Sequence, residues 1–109
     1  MNLLRGDIWW VDLDPTRGSE IKKRRPCVIL SIDPINHRRK TVVVVPLSTS
    51  PTVRPPLTVG VMCSGRPAVA VMDQIRSAAK ERFANRIGTV TASELEELEE
   101  SLREILALH

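Results

Sequence analysis

Tyrosine is absent from this chain, and Trp9, Trp10 and Phe83 are its only large aromatic side chains. A partner held chiefly by stacking on rings would need more of them, so stacking does not dominate whatever this protein binds. Cysteine is nearly as scarce. Cys27 and Cys63 lie in apolar, strand-like runs with no CxxC spacing and no histidine placed to complete a zinc site, which leaves buried free thiols as the expectation and no metal. A disulfide between the two runs would need suitable geometry and an oxidising compartment. Long apolar stretches are missing too: no run approaches the roughly 18 residues needed to cross a bilayer. The opening MNLLRGDIWW has no charged segment leading into a long apolar core and a cleavage site, so no secretory signal is expected, and the cytoplasm is the expected location. There is no internal repeat, low-complexity tract or linker, and 109 residues suit one domain spanning residues 1–109.

What the chain has is divided charge. Its net charge of +3 conceals a basic body and an acidic end: residues 1–90 balance to +8, residues 91–109 to −5. The stretch GSEIKKRRP, residues 18–26, sets one acid, Glu20, before Lys22, Lys23, Arg24 and Arg25. A compact basic body suits a polyanion, because each phosphate that Lys or Arg neutralises releases condensed counterions. A merely solvated surface has the same composition.

Periodicity gives the architecture. GDIWWVDLDP alternates and stops at Asp14-Pro15, a strand ending in a turn. PCVILSI (26–32) and TVVVVPL (41–47) are β-branched and apolar on both faces, as central strands are. DPINHRRK between them reads as a turn with a second basic cluster. PLTVGVMC (56–63) and AVAVMDQ (68–74) flank SGRP, a turn of hairpin length, and a short strand is expected over 86–90. SAAKERF (77–83) has room for one helical turn. Thr91 and Glu94 form a capping box, after which Leu95, Leu98, Leu102, Ile105 and Leu106 recur at helical spacing. The glutamates crowd the first half of that helix, where its dipole favours them. Five or six short strands and one terminal helix predict a mainly β (α+β) fold, a small barrel or curled sheet.

Taken in order, RGDIW, LDPTRGSE, the Arg25-Pro26 pair, VVVVPLSTS and MDQIR resemble the MazF/PemK family of toxins from bacterial toxin-antitoxin pairs, over residues 5–106. The resemblance implies an SH3-like barrel of the CcdB/MazF type and a homodimer. It also implies metal-independent cleavage of single-stranded RNA to 2′,3′-cyclic phosphate and 5′-hydroxyl ends, without a cofactor. A cognate antitoxin with an acidic, flexible tail is the implied partner, and the toxin-antitoxin complex is expected to bind DNA in autoregulation.

Such cleavage needs a base for the 2′-hydroxyl, donors for the charged transition state and an acid for the departing 5′-oxygen. The resemblance gives Arg25 a catalytic role, and its planar, permanently charged fork suits transition-state stabilisation; an ion pair with Glu20 or Asp73 is the structural alternative. Glu20 is placed to act as a base, orient Arg25 or cap a turn. Ser19 stands where some relatives carry histidine, so no imidazole is carried over there. Ser48 aligns with the family's hydroxyl after the third strand, with Thr49 as a substitute, and hydrogen bonding is the role expected of either. Where some relatives have Arg-Cys-Asp, this chain has Val71-Met72-Asp73, which removes their Arg/Asp scheme. Asp73 and Gln74 are expected to read base edges, and Lys22, Lys23 and Arg76 to contact phosphate. His37, in a turn, and His109, the last residue, are poorly placed for a paired-histidine mechanism. One of Trp9 and Trp10 must face outward, available for stacking or for the dimer. The alternatives are a non-catalytic RNA- or protein-binding module and a gyrase poison on the same architecture.

Overall fold

The computed structural model describes residues 1–13, 24–49 and 52–108. In chain order its elements are β1 (Asp7–Asp12), β2 (Arg24–Ile29), α1 (Asp33–Arg38), β3 (Thr41–Ser48), β4 (Thr58–Cys63), β5 (Arg66–Val71), β6 (Arg76–Ala79), β7 (Phe83–Thr89) and α2 (Ala92–Ile105). The strands form one antiparallel, curled sheet in the order β4-β5-β3-β2-β1-β7, with β6 attached to β3. The expected mainly β fold with a C-terminal helix is what forms. No helix among the described residues is long and apolar enough to cross a membrane.

The long strand β3 organises the curl because it changes partners along its length. Thr41 to Val44 pair with β6, whereas Leu47 and Ser48 pair with β5. Pro46, which has no N–H to donate, falls between the two pairings, where no ladder bond is lost. On its other side β3 pairs with β2, Cys27 opposite Pro46 and Ile29 opposite Val44.

Because side chains alternate across a strand, the sheet buries both faces. One face sets Ile8, Val28, Val45, Leu47 and Met72 against Leu98 of α2; the other joins Trp9, Val11, Cys27, Ile29, Val42, Val44 and Phe83. That division resolves the tryptophans. Trp9 is in the second cluster, edge-on to Phe83 with ring centroids 6.1 Å apart, and Trp10 is left 37% exposed on the opposite side.

Helix α2 starts as expected. The Thr91 hydroxyl accepts from the Glu94 N–H at 3.0 Å, and Glu94 accepts from the Thr91 N–H at 2.8 Å. The second carboxylate oxygen of Glu94 accepts from the Met62 N–H at 2.7 Å, tying the helix start to β4. Leu98 is fully buried, with Leu95, Leu102 and Ile105 packed around it. Leu106 departs from the expected stripe: it caps the helix and is half exposed.

Some local expectations are corrected or sharpened. Residues 33–38 form a helix, not a turn, because Pro34 lies in its first turn, where a fixed φ and a missing N–H favour initiation. The buried Asn36 side chain anchors it by donating to the Ser31 carbonyl at 2.9 Å. The SGRP turn is tighter than four residues. Ser64 and Gly65 alone make it, both at positive φ, and Cys63 already pairs with Arg66. Within residues 77–83 the expected helical turn forms, at Lys80–Arg82, and the preceding residues add a strand, β6. That makes seven strands among the described residues; alanine-rich β6 has little strand propensity and is held by β3. The last strand also begins earlier than expected, at Phe83.

Candidate active site

Two adjoining clefts open where β2 begins and β3 ends. The larger, about 490 Å³, has Trp10, Pro26, Leu47 and Ile87 as its apolar surface and Arg24, Arg25, Ser48, Thr49, Ser64 and Arg66 as its polar groups. The smaller, about 140 Å³, is lined by Arg25, Pro46, Leu47, Ser48, Val71 and Gln74. Arg25 and Ser48 belong to both. Two residues far apart in sequence therefore flank one junction, positioned by the pairing of β2 with β3.

Position 25 is set by the ladder. Arg25 lies opposite Val11 on β1, two residues before the buried Cys27, and its side chain is exposed. Arg24 is less available, since its Nε donates to Asp12 at 2.9 Å across the same strand pair. Among the described residues neither Arg25 nor Arg66 forms an ion pair. The cleft thus offers two guanidinium forks to an incoming anion, beside hydroxyls that donate or accept.

The other expected site residues are distributed as follows. Thr49 lines the larger cleft and Gln74 the smaller. Asp73 is exposed on the same single turn as Gln74, Met72–Gln74, but lines neither cleft. Arg76 lines neither as well; it stands opposite Val44 on β6 and donates to the Leu13 carbonyl at 3.1 Å. Ser19, Glu20, Lys22 and Lys23 lie outside the described residues. His37 is on α1, near the opposite end of β3, with its Nε2 3.4 Å from the Asn2 side-chain oxygen. Ser64 and Arg66 carry no sequence motif that marks them as site residues, whereas Arg24 stands in the basic stretch and Trp10 in the tryptophan pair that the sequence already points to. A basic residue inside a turn motif looks like a turn residue until the hairpin folds it over the cleft.

Both thiols stay protonated near neutrality. Burial pushes Cys27 up to about 12, against the opposing pull of the Arg76 and Arg25 guanidiniums. Burial also raises Cys63, with a hydrogen bond from Ser64 partly offsetting it. Cys63 lines the larger cleft, but a raised thiol is a poor nucleophile. No acid or histidine lines either cleft among the described residues, and no group of three His, Cys, Asp or Glu side chains among them is placed to hold a metal ion. The arrangement can bind a phosphate, stabilise negative charge developing on it and hydrogen-bond its oxygens.

Comparison with known proteins gives consistent relatives. The profile of a family described as the PemK-like, MazF-like toxin of type II toxin-antitoxin systems matches residues 4–106. The chain is 39% identical to endoribonuclease MazF9 of Mycobacterium tuberculosis, over 91% of this chain and 92% of that one. It is 40% identical to the endoribonuclease toxin MazF of Escherichia coli K12, over 84% and 82%. A mycobacterial endoribonuclease solved in complex with its cognate antitoxin superposes with a TM-score of 0.79 at 26% identity, covering 100% of this chain and 98% of that one.

Proposed function

This chain belongs to the PemK-like, MazF-like toxin family of type II toxin-antitoxin systems, and on that premise we propose that it is an endoribonuclease that cuts single-stranded RNA through its own side chains. The observation that carries the reading is the junction at which Arg25 and Ser48 line both clefts. The 2′-oxygen next to the scissile bond attacks phosphorus as the bond to the 5′-oxygen breaks, leaving a 2′,3′-cyclic phosphate and a 5′-hydroxyl. No metal is needed if the protein supplies the charge and the proton acceptor. Arg25 holds the non-bridging oxygens bidentately, and its charge is most valuable as theirs grows. The Ser48 hydroxyl, with Thr49 beside it, hydrogen-bonds the departing 5′-oxygen, whose proton comes from cleft water. Glu20, five residues before Arg25, takes the 2′-hydroxyl proton. Gln74 meets a base edge in the smaller cleft, Asp73 another beside it, and Ser19, Lys22, Lys23 and Arg76 contact the backbone.

Two copies of the chain form the working unit. The basic cleft also suits the acidic, flexible tail of a cognate antitoxin, which would block it by charge complementarity. Both events belong to the cytoplasm, where messenger RNA is available. The test is direct: purified protein, free of antitoxin, is incubated with a long single-stranded RNA in EDTA. Discrete fragments are expected, and intact RNA with folded protein would overturn the reading, leaving a binding module without turnover.

A further inference from the structure

The second basic cluster in the sequence is not used by the cleft. Arg38 closes α1, Arg39 and Lys40 lead into β3, and all three are exposed. The fold adds Lys80, whose N–H donates to the Lys40 carbonyl at 3.0 Å, so a residue forty positions away joins the same corner. None of the four forms an ion pair among the described residues. Two acids are near in sequence. Asp33 is engaged by the Arg5 N–H at 2.8 Å, and Glu81 is exposed beside Lys80. The end of a short helix accounts for one cation at most, which leaves the grouping of the other three unexplained by local structure.

Its position relative to the cleft is informative. The corner is at the start of β3 and the Arg25–Ser48 junction at its end, and the eight residues of that strand span about 23 Å. Edge strand β6 runs alongside, with Arg76 opposite Val44 partway along and Lys80 just beyond its far end. Arg76 stands opposite Val44, which is itself opposite Ile29 of β2, the strand on which Arg25 lies. Basic groups therefore recur from the cleft to the corner.

We propose that Arg38, Arg39, Lys40 and Lys80 form a second RNA-binding patch, which holds the flank of a long single-stranded substrate whose scissile phosphate is at Arg25. The inference rests on the endoribonuclease reading above. A linear polyanion matches a spaced row of cations, whereas the compact transition-state chemistry is confined to the junction. The patch increases affinity for long RNA without touching the bond that is cut.

The experiment compares wild type with the triple variant Arg38→Gln, Arg39→Gln, Lys40→Gln on two substrates: a short oligonucleotide containing only the cleavage motif, and the same motif extended on both sides. The variant should cut the short substrate like wild type but show a raised KM on the long one at low salt. Its log-log salt slope for long-RNA binding should be shallower by about 2, because three phosphates are no longer neutralised. The pair Lys40→Gln, Lys80→Gln, which leaves α1 intact, should give a smaller effect of the same kind and guards against a folding defect in the triple variant. Equal KM and salt slope on long RNA would overturn the patch while leaving the enzyme reading intact. So would a variant that loses affinity only for the antitoxin, because the corner would then serve protein recognition. Wild type that cuts neither substrate would instead remove the reading beneath the inference.

Discussion

Replacing Arg25 separates charge from geometry in the cleft. The side chain is exposed and has no ion pair among the described residues, while the backbone keeps its pairing with Val11. Arg25→Ala should therefore change folding stability by no more than about 0.5 kcal/mol. Catalysis should suffer far more. Of the three guanidiniums that line the larger cleft among the described residues, one is occupied by Asp12, so the substitution removes one of two that these residues offer to the transition state. A preorganised donor facing developing charge contributes roughly 2.7 to 4 kcal/mol, a factor of about 10² to 10³ in kcat. Ground-state binding should change modestly, with a salt slope shallower by about 0.7 because one phosphate is no longer neutralised. Arg25→Lys keeps the charge without the planar fork and should fall between wild type and Ala. Single-turnover cleavage of a labelled oligonucleotide, alongside a thermal melt, separates these effects. An Ala variant that melts normally and keeps kcat within tenfold of wild type would refute the assignment. Lys equal to wild type would refute the need for a bidentate donor.

Further predictions concern the thiols, the core and Trp10. Cys63, partly exposed in the cleft, should react with a disulfide reagent in the native protein, and Cys27 only on unfolding. Because folding raises Cys27 to about 12, its contribution to stability is complete below the ordinary thiol value near 9 and is lost as pH rises from there to about 12. Wild type should thus lose up to about 1.4 kcal/mol per pH unit more than Cys27→Ala in that range, and parallel alkaline denaturation curves would contradict this. Leu98→Ala, at a fully buried helix position, should cost about 2 to 5 kcal/mol by urea denaturation, and a loss below about 1 kcal/mol would mean that α2 is not locked onto the sheet. Trp10→Ala should weaken RNA binding by roughly 1 to 3 kcal/mol if a base stacks on the exposed ring, with little change in melting temperature; unchanged affinity would leave Trp10 to the dimer.

The central strands and α2 were legible because their signals are local: β-branched runs, a Thr91–Glu94 box, leucines at helical spacing. Helix α1 and strand β6 were not. Six and four residues are too few to show a period, and what holds them is a buried Asn36 in one case and pairing with β3 in the other. The site divided in the same way. Arg25 and Ser48 stand in ordered motifs, and the strand pairing explains why motifs so distant share a cleft. Arg66 was hidden in a turn whose position over the cleft depends on the Ser64-Gly65 hairpin. Lys80 was separated from the basic cluster it joins by forty residues and one strand pair.

The proposed chemistry stands on RNA being cut by its own 2′-oxygen in a cleft where the Arg25 guanidinium meets the scissile phosphate. The most direct measurement is to cleave total RNA with purified wild type in EDTA and identify the chemistry of every new end by ligation-selective sequencing, with Arg25→Ala in parallel. The expected result is 5′-hydroxyl and 2′,3′-cyclic phosphate termini, at a recurring short motif, that disappear in the variant. New 5′-phosphate ends, or equal cleavage by the folded variant, would contradict it.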